Sequence, residues 1–257
     1  MKQEVLRRLW DTELSILGEI DRICQKHNIR YYLMWGTLIG AVRHQGFIPW
    51  DDDIDINMPQ KDYFRFLKIA KKELPEHLFL QTPFTDKYHP VYFAKVRMNG
   101  TAFCAKGDNN VKKHRGIFVD VLPFFEVKNK DSFWHKFRKK LASRIRAHVF
   151  AKRQGSGGKS PLLSLLPTTL LMRICQRLMC SKGNTFASEG YYFDKADFEP
   201  ATTLTFEGRE YPVPKNYDKV LRGVFGDYMQ LPPEDKRAAH NPGRISFDTS
   251  LPDEITD

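Results

Sequence analysis

The 257-residue sequence has no apolar run long enough to cross a bilayer, and it has only four cysteines. A spanning helix needs about 20 consecutive, mainly apolar residues, so we expect no such helix. Cys24, Cys104, Cys175 and Cys180 include no CxxC pair, which argues against a disulfide framework or a zinc ribbon. The first residues also lack the basic start and apolar centre of a secretory signal. We therefore expect reduced thiols in a cytoplasmic protein.

The chain has the composition of a folded protein with an uneven distribution of charge. Hydrophobic residues make up 41% and aromatic residues 13% of the chain, which is enough for a sizeable core and excludes general disorder. The net charge is +10, and residues 128–159 alone hold eleven basic residues against one acid, Asp131. Such a segment indicates contact with phosphates, nucleic acid or a membrane face, or else a solvated helix surface.

Hydrophobic periodicity predicts an α+β protein, with a mixed sheet flanked by helices and a basic helical insert. The short helix that follows Gly36 is expected to begin at residue 38, with Thr37 as its cap. The aromatic residues of the basic helix have helical spacing, which favours a position facing the core. The predicted helices span residues 4–27, 38–44, 59–74, 131–153 and 216–226, and the predicted strands span residues 31–34, 53–57, 91–98, 116–121, 203–206 and 209–213.

Two carboxylates alternate with isoleucines in the segment DDDIDI. On a strand, alternate side chains share one face, so Asp53 and Asp55 would point the same way while Ile54 and Ile56 face the core. Neighbouring carboxylates repel each other unless a cation lies between them. Oxygen ligands of this kind suit Mg²⁺, so the pattern predicts a metal site.

A third carboxylate and a helix start complete the set of candidate residues. Asp120 is the one acid in the apolar run GIFVDVLPF, where it is costly unless it is paired or bound to metal. A neighbouring strand would present it to the same metal. Gly36 and Thr37 lie at the start of a predicted helix, where free N–H groups and the helix dipole can hold a phosphate.

The local sequence resembles the LicD family, which includes the animal fukutin-related proteins and has the nucleotidyltransferase fold. The resemblance lies in GTLIGAVRHQGFIPWDDDIDI (residues 36–56), HRGIFVDVLPF (residues 114–124) and FEGREYPVP (residues 206–214). It covers both ends of the chain but not the basic middle. It implies a catalytic core at residues 1–127, a basic and apolar helical insert at 128–182, and a part at 183–257 that completes the catalytic domain.

The resemblance implies an enzyme that moves a phospho-alcohol group, with phosphocholine favoured, from a CDP-activated donor to a glycan hydroxyl and releases CMP. Asp53, Asp55 and Asp120 would bind Mg²⁺ or Mn²⁺, and Gly36 and Thr37 would cradle the donor phosphates. Arg43, Lys95 and Arg97 lie close in sequence to these elements and are candidates for neutralising phosphate charge. His240 is a candidate for contact with the donor phosphate, and the alternative is that it caps a packed tail.

Several alternatives remain open. CDP-ribitol or CDP-glycerol would serve the same CDP-binding motif, and a glycosyltransferase can also use an Asp-x-Asp metal site. A nucleic-acid binder would explain the basic segment, but the motifs make it the weaker interpretation. We expect the basic segment and the apolar residues 162–179 to contact an anionic membrane from its inner face. The other interpretation is that the insert binds an anionic acceptor directly.

Overall fold

The computed structural model describes residues 1–89, 91–105, 113–153, 160–237 and 242–250. Its helices and strands alternate in an α+β order, as predicted. The helices are α1 (Gln3–His27), α2 (Trp35–His44), α3 (Gln60–Glu73), α4 (Phe133–Arg153), α5 (Pro161–Ser164), α6 (Thr168–Met179) and α7 (Tyr217–Phe225). The strands are β1 (Tyr32–Leu33), β2 (Asp55–Pro59), β3 (Leu78–Gln81), β4 (Ala94–Met98), β5 (Ala102–Ala105), β6 (Phe118–Val127), β7 (Thr185–Ser188), β8 (Tyr191–Asp194), β9 (Thr202–Phe206), β10 (Arg209–Val213) and β11 (Pro242–Ser246).

The main sheet is mixed and has the order β1-β2-β6-β4-β3, with β7 and β8 added beside the end of β6. Strands β2 and β6 run parallel, while the other pairs in this sheet are antiparallel. Two small antiparallel two-stranded sheets lie outside it, one formed by β9 with β10 and the other by β5 with β11. The central position of β6 places its residues between β2 and β4, which determines the geometry of the candidate site.

Helices α1 and α3 cover one face of the sheet. The apolar residues of α1 recur at helical spacing, and Leu9, Ile16, Leu17 and Ile20 are fully buried, so burial of this stripe anchors the helix to the core. The predicted inward positions of Ile54 and Ile56 are confirmed, because neither side chain is exposed.

Helices α4 and α6 form a separate apolar cluster. Ile145 and Val149 of α4 pack with Leu171, Met172 and Cys175 of α6. The aromatic residues at the start of α4 do not join this cluster. Phe133, Trp134 and Phe137 are 72%, 68% and 49% exposed, so the prediction that they face the core is wrong. Helical spacing identifies a common face but not what covers it.

Two boundaries near the motif differ from the prediction. Helix α2 begins at Trp35 rather than at residue 38, and the Thr37 hydroxyl makes no capping bond. Asp53 precedes β2, which begins at Asp55, so the two carboxylates do not lie on one strand. The physical reason is the preceding segment with Pro49, which turns at Ile48 and Asp51 and joins the ladder only at Asp55.

Among the described residues, no helix combines the length and the apolar character needed to cross a membrane.

Candidate active site

The parallel pairing of β2 and β6 brings three carboxylates together. Asp55 on β2 lies directly opposite Asp120 on β6, and Asp53 comes from the segment just before β2. One carboxylate oxygen of each residue lies within 4.8 Å of one oxygen of the other two. The same holds for Asp51, Asp52 and Asp53, so Asp53 belongs to both groups. The expected convergence of Asp53, Asp55 and Asp120 is therefore present in the structure.

Helix α2 holds Asp55 in place through its first turn. The backbone N–H of Asp55 donates to the Thr37 hydroxyl over 2.8 Å, and the Asp55 carbonyl accepts from the backbone N–H of Met34 at 3.1 Å. Thr37 is itself buried. The motif thus couples the helix start to β2, while the proposed contact of Thr37 with donor phosphates stays a prediction.

Gly36 leaves room for a carboxylate against the first turn of α2. A Cβ at this position would be 2.5 Å from an Oδ atom of Asp51, which is closer than real Cβ atoms come to other atoms. The same carboxylate segment is fixed from the other side, since the Trp10 indole N–H donates to the Asp51 carbonyl over 2.8 Å. Glycine therefore lets the acidic loop approach the positive end of the helix.

Lys95 on β4 is the cation that pairs with this group. Its Nζ lies 2.6 Å from one carboxylate oxygen of Asp120 and 3.5 Å from the centroid of the Phe118 ring. Burial lowers the pKa of Lys95, whereas the Asp120 charge acts in the opposite direction. Burial, and then the charges of Asp53 and Asp120, raise the pKa of Asp55 well above its ordinary value.

The close approach of these carboxylates makes the cluster suitable for a divalent cation. Carboxylates that repel each other gain stability when a cation is shared between them, and hard oxygen ligands suit Mg²⁺ or Mn²⁺. Asp53, Asp55 and Asp120 are the residues that would hold it. Two observations indicate that these residues fit a divalent cation. Their three carboxylate oxygens lie within 4.8 Å of one another, and the pKa of Asp55 is raised.

Glu13 of α1 is a further acid at this site that the sequence analysis did not identify. Its side chain is fully buried, and neither carboxylate oxygen has a hydrogen-bond partner among the described residues. Burial raises its pKa well above the ordinary value, and Asp53, Asp52 and Asp51 add to the effect. A signal was present, because Glu13 falls within the apolar stripe of α1.

We expect Glu13→Gln to raise the melting temperature of the metal-free protein at pH 8. A raised pKa means that Glu13 favours folding only when it is protonated. The contribution of protonated Glu13 to the free energy of unfolding is fully present below the pKa that the residue has in the unfolded chain. It is lost as pH rises through the pKa of Glu13 in the folded protein. Glutamine does not ionise, so the gain over wild type should shrink toward pH 5.

Thermal melts in EDTA between pH 5 and pH 8 measure this difference. Glu4→Gln, at an exposed position on the same helix, is the matched control. A gain for Glu13→Gln that is equal at both ends of the pH range would contradict the buried-charge explanation.

The remaining sequence candidates occupy different surroundings. Arg43 donates to the Tyr228 carbonyl over 2.7 Å, and burial and the nearby Arg237 lower its pKa. Arg97 is buried and donates to the Gln81 side chain and to the Gly116 carbonyl. His240 lies outside the described residues. The roles proposed for these three residues toward phosphate stay predictions.

Arg237 is a cation that the sequence analysis missed. Its guanidinium lies 5.1 Å from the centroid of the Trp50 ring, beside the acidic loop, and it is close enough to Arg43 to affect the pKa of that residue. The two arginines come from opposite ends of the chain, so no local pattern could have linked them.

A mixed sheet with three convergent carboxylates beside a helix start defines a nucleotidyltransferase-type phosphotransferase. Comparison with known families agrees, because residues 28–154 match the family described as LicD/FKTN/FKRP, nucleotidyltransferase domain. These residues therefore form a LicD family domain. The match extends through α4, and therefore further into the basic segment than the sequence motifs indicate.

Individual relatives support a phospho-alcohol transferase. The chain is 28% identical over 270 residues to the lipopolysaccharide cholinephosphotransferase LicD of Haemophilus influenzae, and this match covers 94% of this chain and 97% of that protein. It is 37% identical over 57 residues to the ribitol 5-phosphate transferase FKRP of Homo sapiens, and this match covers 22% of this chain and 11% of that protein. An uncharacterised protein of Rickettsia typhi is 39% identical over 78 residues, or 30% of this chain and 23% of its own length.

Proposed function

We propose that the protein transfers a phospho-alcohol group from a CDP-activated donor to a hydroxyl of a cell-surface glycan or its lipid-linked precursor, and releases CMP. The observation that carries the proposal is the placement of Asp55 opposite Asp120 on parallel strands, with an oxygen of Asp53 within 4.8 Å. Phosphocholine is favoured because the relative that matches along most of the chain is named a cholinephosphotransferase.

The reaction replaces one P–O bond with another. The acceptor hydroxyl oxygen bonds to the phosphorus that carries the alcohol, the bond from that phosphorus to CMP breaks, and CMP leaves with the electron pair. A divalent cation would supply charge neutralisation at the phosphates. Asp53 and Asp55 would hold it, and Asp120 would hold a second cation or accept the hydroxyl proton. Arg43 and Arg237 would attract the donor's diphosphate.

A panel of donors tests this proposal. The purified protein is incubated with Mg²⁺ and, in turn, with CDP-choline, CDP-ethanolamine, CDP-glycerol, CDP-ribitol and UDP-glucose, with and without a glycolipid acceptor. We expect CMP release from CDP-choline that EDTA abolishes and Mg²⁺ or Mn²⁺ restores. Faster release from CDP-ribitol or CDP-glycerol would favour the polyol alternative. Release of UDP alone would favour a glycosyltransferase and overturn the proposal.

We also propose that the protein contacts an anionic membrane from its inner face through the start of α4. The aromatic patch, Phe133, Trp134 and Phe137, has ring centroids 5.7 to 6.3 Å apart and is largely exposed. The cations Lys136 and Lys140 are exposed on the same helix. Aromatic rings favour the membrane interface, and each nearby cation adds about 1 kcal/mol at an anionic surface.

Trp134→Ala combined with Phe137→Ala is expected to weaken vesicle binding at least tenfold, since burial of one large apolar side chain contributes about 1.5–3 kcal/mol. Co-sedimentation with vesicles of phosphatidylcholine and phosphatidylglycerol measures it, and binding should fall with salt. Phe225→Ala, at a position 44% exposed on α7, is the control. Equal binding to pure phosphatidylcholine vesicles, or no effect of the double variant, would contradict membrane contact through this patch.

A further inference from the structure

A cavity of about 360 Å³ lies between the helical insert and the catalytic sheet. Both α4 and segments next to the main sheet line the cavity. Arg146 and Arg153 come from α4, and the lining also includes His89, Tyr92 and Phe93 before β4 and Glu189 in the turn between β7 and β8. A cavity of this size is in the range of small-molecule sites, which combine apolar walls with a few polar groups.

Arg146 presents a guanidinium that the protein does not neutralise within its described residues. The group lies 4.6 Å from the centroid of the Tyr92 ring, and it has no hydrogen bond or ion pair to a described residue. Stacking on a ring holds the planar guanidinium while its N–H edge stays available. The acid in the lining, Glu189, accepts from the Tyr92 hydroxyl at 2.6 Å.

Two further polar groups of the lining also lack partners among the described residues. The Nε of Arg153 is buried without an acceptor, while its Nη2 donates to the Pro83 carbonyl over 2.7 Å, and burial lowers the pKa of this arginine. The Nδ1 of His89 is buried without a donor. The Nε2 of His89 lies 2.7 Å from the Phe93 carbonyl, so it carries the proton and leaves Nδ1 as an acceptor. Burial lowers the pKa of His89 to about 3.

These groups define the chemistry of an occupant. Unsatisfied buried polar groups are rare in folded proteins, and here two guanidinium groups and one neutral imidazole acceptor line the same space as the single carboxylate of Glu189. An anionic group would bind the two arginines, and a hydroxyl would donate to His89. A sugar with a phosphate or a carboxylate has both features.

The cavity adjoins the carboxylate site through a short chain of contacts. The Phe93 ring lies 5.7 Å from Nζ of Lys95, and that Nζ is 2.6 Å from Asp120. A sugar in the cavity would therefore be separated from the Asp120 carboxylate by the Phe93 ring and the Lys95 side chain.

We infer that this cavity binds the acceptor, and that it recognises an anionic sugar of the acceptor glycan through Arg146, Arg153 and His89. This inference rests on the proposed function, since an acceptor exists only if the protein is a transferase. It assigns one face of α4 to the substrate, while the aromatic patch at the start of α4 lies outside the cavity.

Titration calorimetry with simple sugars tests the inference. Glucose 6-phosphate and glucuronate carry the two candidate anions. Glucose has the sugar hydroxyls without an anionic group, and inorganic phosphate has the anionic group without a sugar. We expect one anionic sugar to bind at least tenfold more tightly than glucose or phosphate alone. Arg146→Gln should weaken that binding about tenfold. Arg144→Gln removes an exposed cation of the same helix that does not line the cavity, and it should bind like wild type.

CMP release from CDP-choline into water separates this inference from the proposed function, because hydrolysis needs no sugar. Arg146→Gln should hydrolyse the donor at the wild-type rate and melt within a few degrees of wild type. Two results would contradict the inference that this cavity binds the acceptor and would leave the proposed function unaffected. In the first, the wild type releases CMP but binds neither anionic sugar. In the second, Arg146→Gln binds the anionic sugar as tightly as wild type. Sugar binding at this cavity without any CMP release would instead overturn the transferase.

Discussion

Asp55→Asn is expected to reduce CMP release from the CDP-activated donor about a thousandfold. The change removes the charge that faces Asp120 across the parallel pair and weakens the proposed cation site. Loss of about 4 kcal/mol of charge stabilisation in the transition state corresponds to a factor of about a thousand. Single-turnover measurements at saturating Mg²⁺ give the chemical rate, and titration with Mn²⁺ reports cation binding independently of turnover.

The same substitution should leave the fold intact. The variant would retain the backbone bonds of this position to Thr37 and Met34, and removal of one of several repelling carboxylates should leave the melting temperature unchanged or raise it. Asp131→Asn, at an exposed position, is the matched control and should keep full activity. Near-normal turnover by Asp55→Asn would remove this carboxylate from the mechanism.

The elements of this site could be predicted from the sequence better than their arrangement. Alternation of carboxylate and isoleucine identified Asp53 and Asp55, and a lone acid in an apolar run identified Asp120. The register that places Asp55 opposite Asp120 and Lys95 beside Asp120 depends on which strands become neighbours. Because β2 and β4 both pair with β6, this order is a property of the whole sheet and leaves no local pattern.

Glu13 shows a different limit. Its position between Leu9 and Ile16 places an acid on the buried face of α1, and that conflict with the apolar stripe is visible in the sequence. What the sequence does not show is the reason for it, since the acidic loop whose charges act on Glu13 is about 40 residues away along the chain. A residue that breaks a local pattern, as an acid on the apolar face of a helix does, is typical of functional sites.

The aromatic residues of α4 illustrate why periodicity alone does not identify a core. Phe133 and Phe137 are one turn apart, as core residues would be, yet they face solvent. A helix that binds a membrane has the same spacing as one that packs against a sheet. The difference lies in what covers the face, and here α6 packs against Ile145 and Val149 instead.

Arg97→Met is expected to lower the free energy of unfolding by about 3 kcal/mol, because the loss of a buried donor leaves its acceptors unsatisfied at about 1–3 kcal/mol each. The guanidinium donates to the Gln81 side chain and to the Gly116 carbonyl and stacks 4.7 Å from the Phe118 ring centroid. Methionine retains the apolar part of the side chain but satisfies neither acceptor.

Urea unfolding monitored by circular dichroism measures this loss, and for a chain of this size the melting temperature should fall by roughly 10 °C. Arg173→Met, at an exposed position on α6, is the control and should unfold like wild type. At a temperature where Arg97→Met remains folded, its KM for the donor should match that of wild type, because the arginine acts within the sheet. Unchanged stability together with a raised KM would instead assign Arg97 to the donor phosphates.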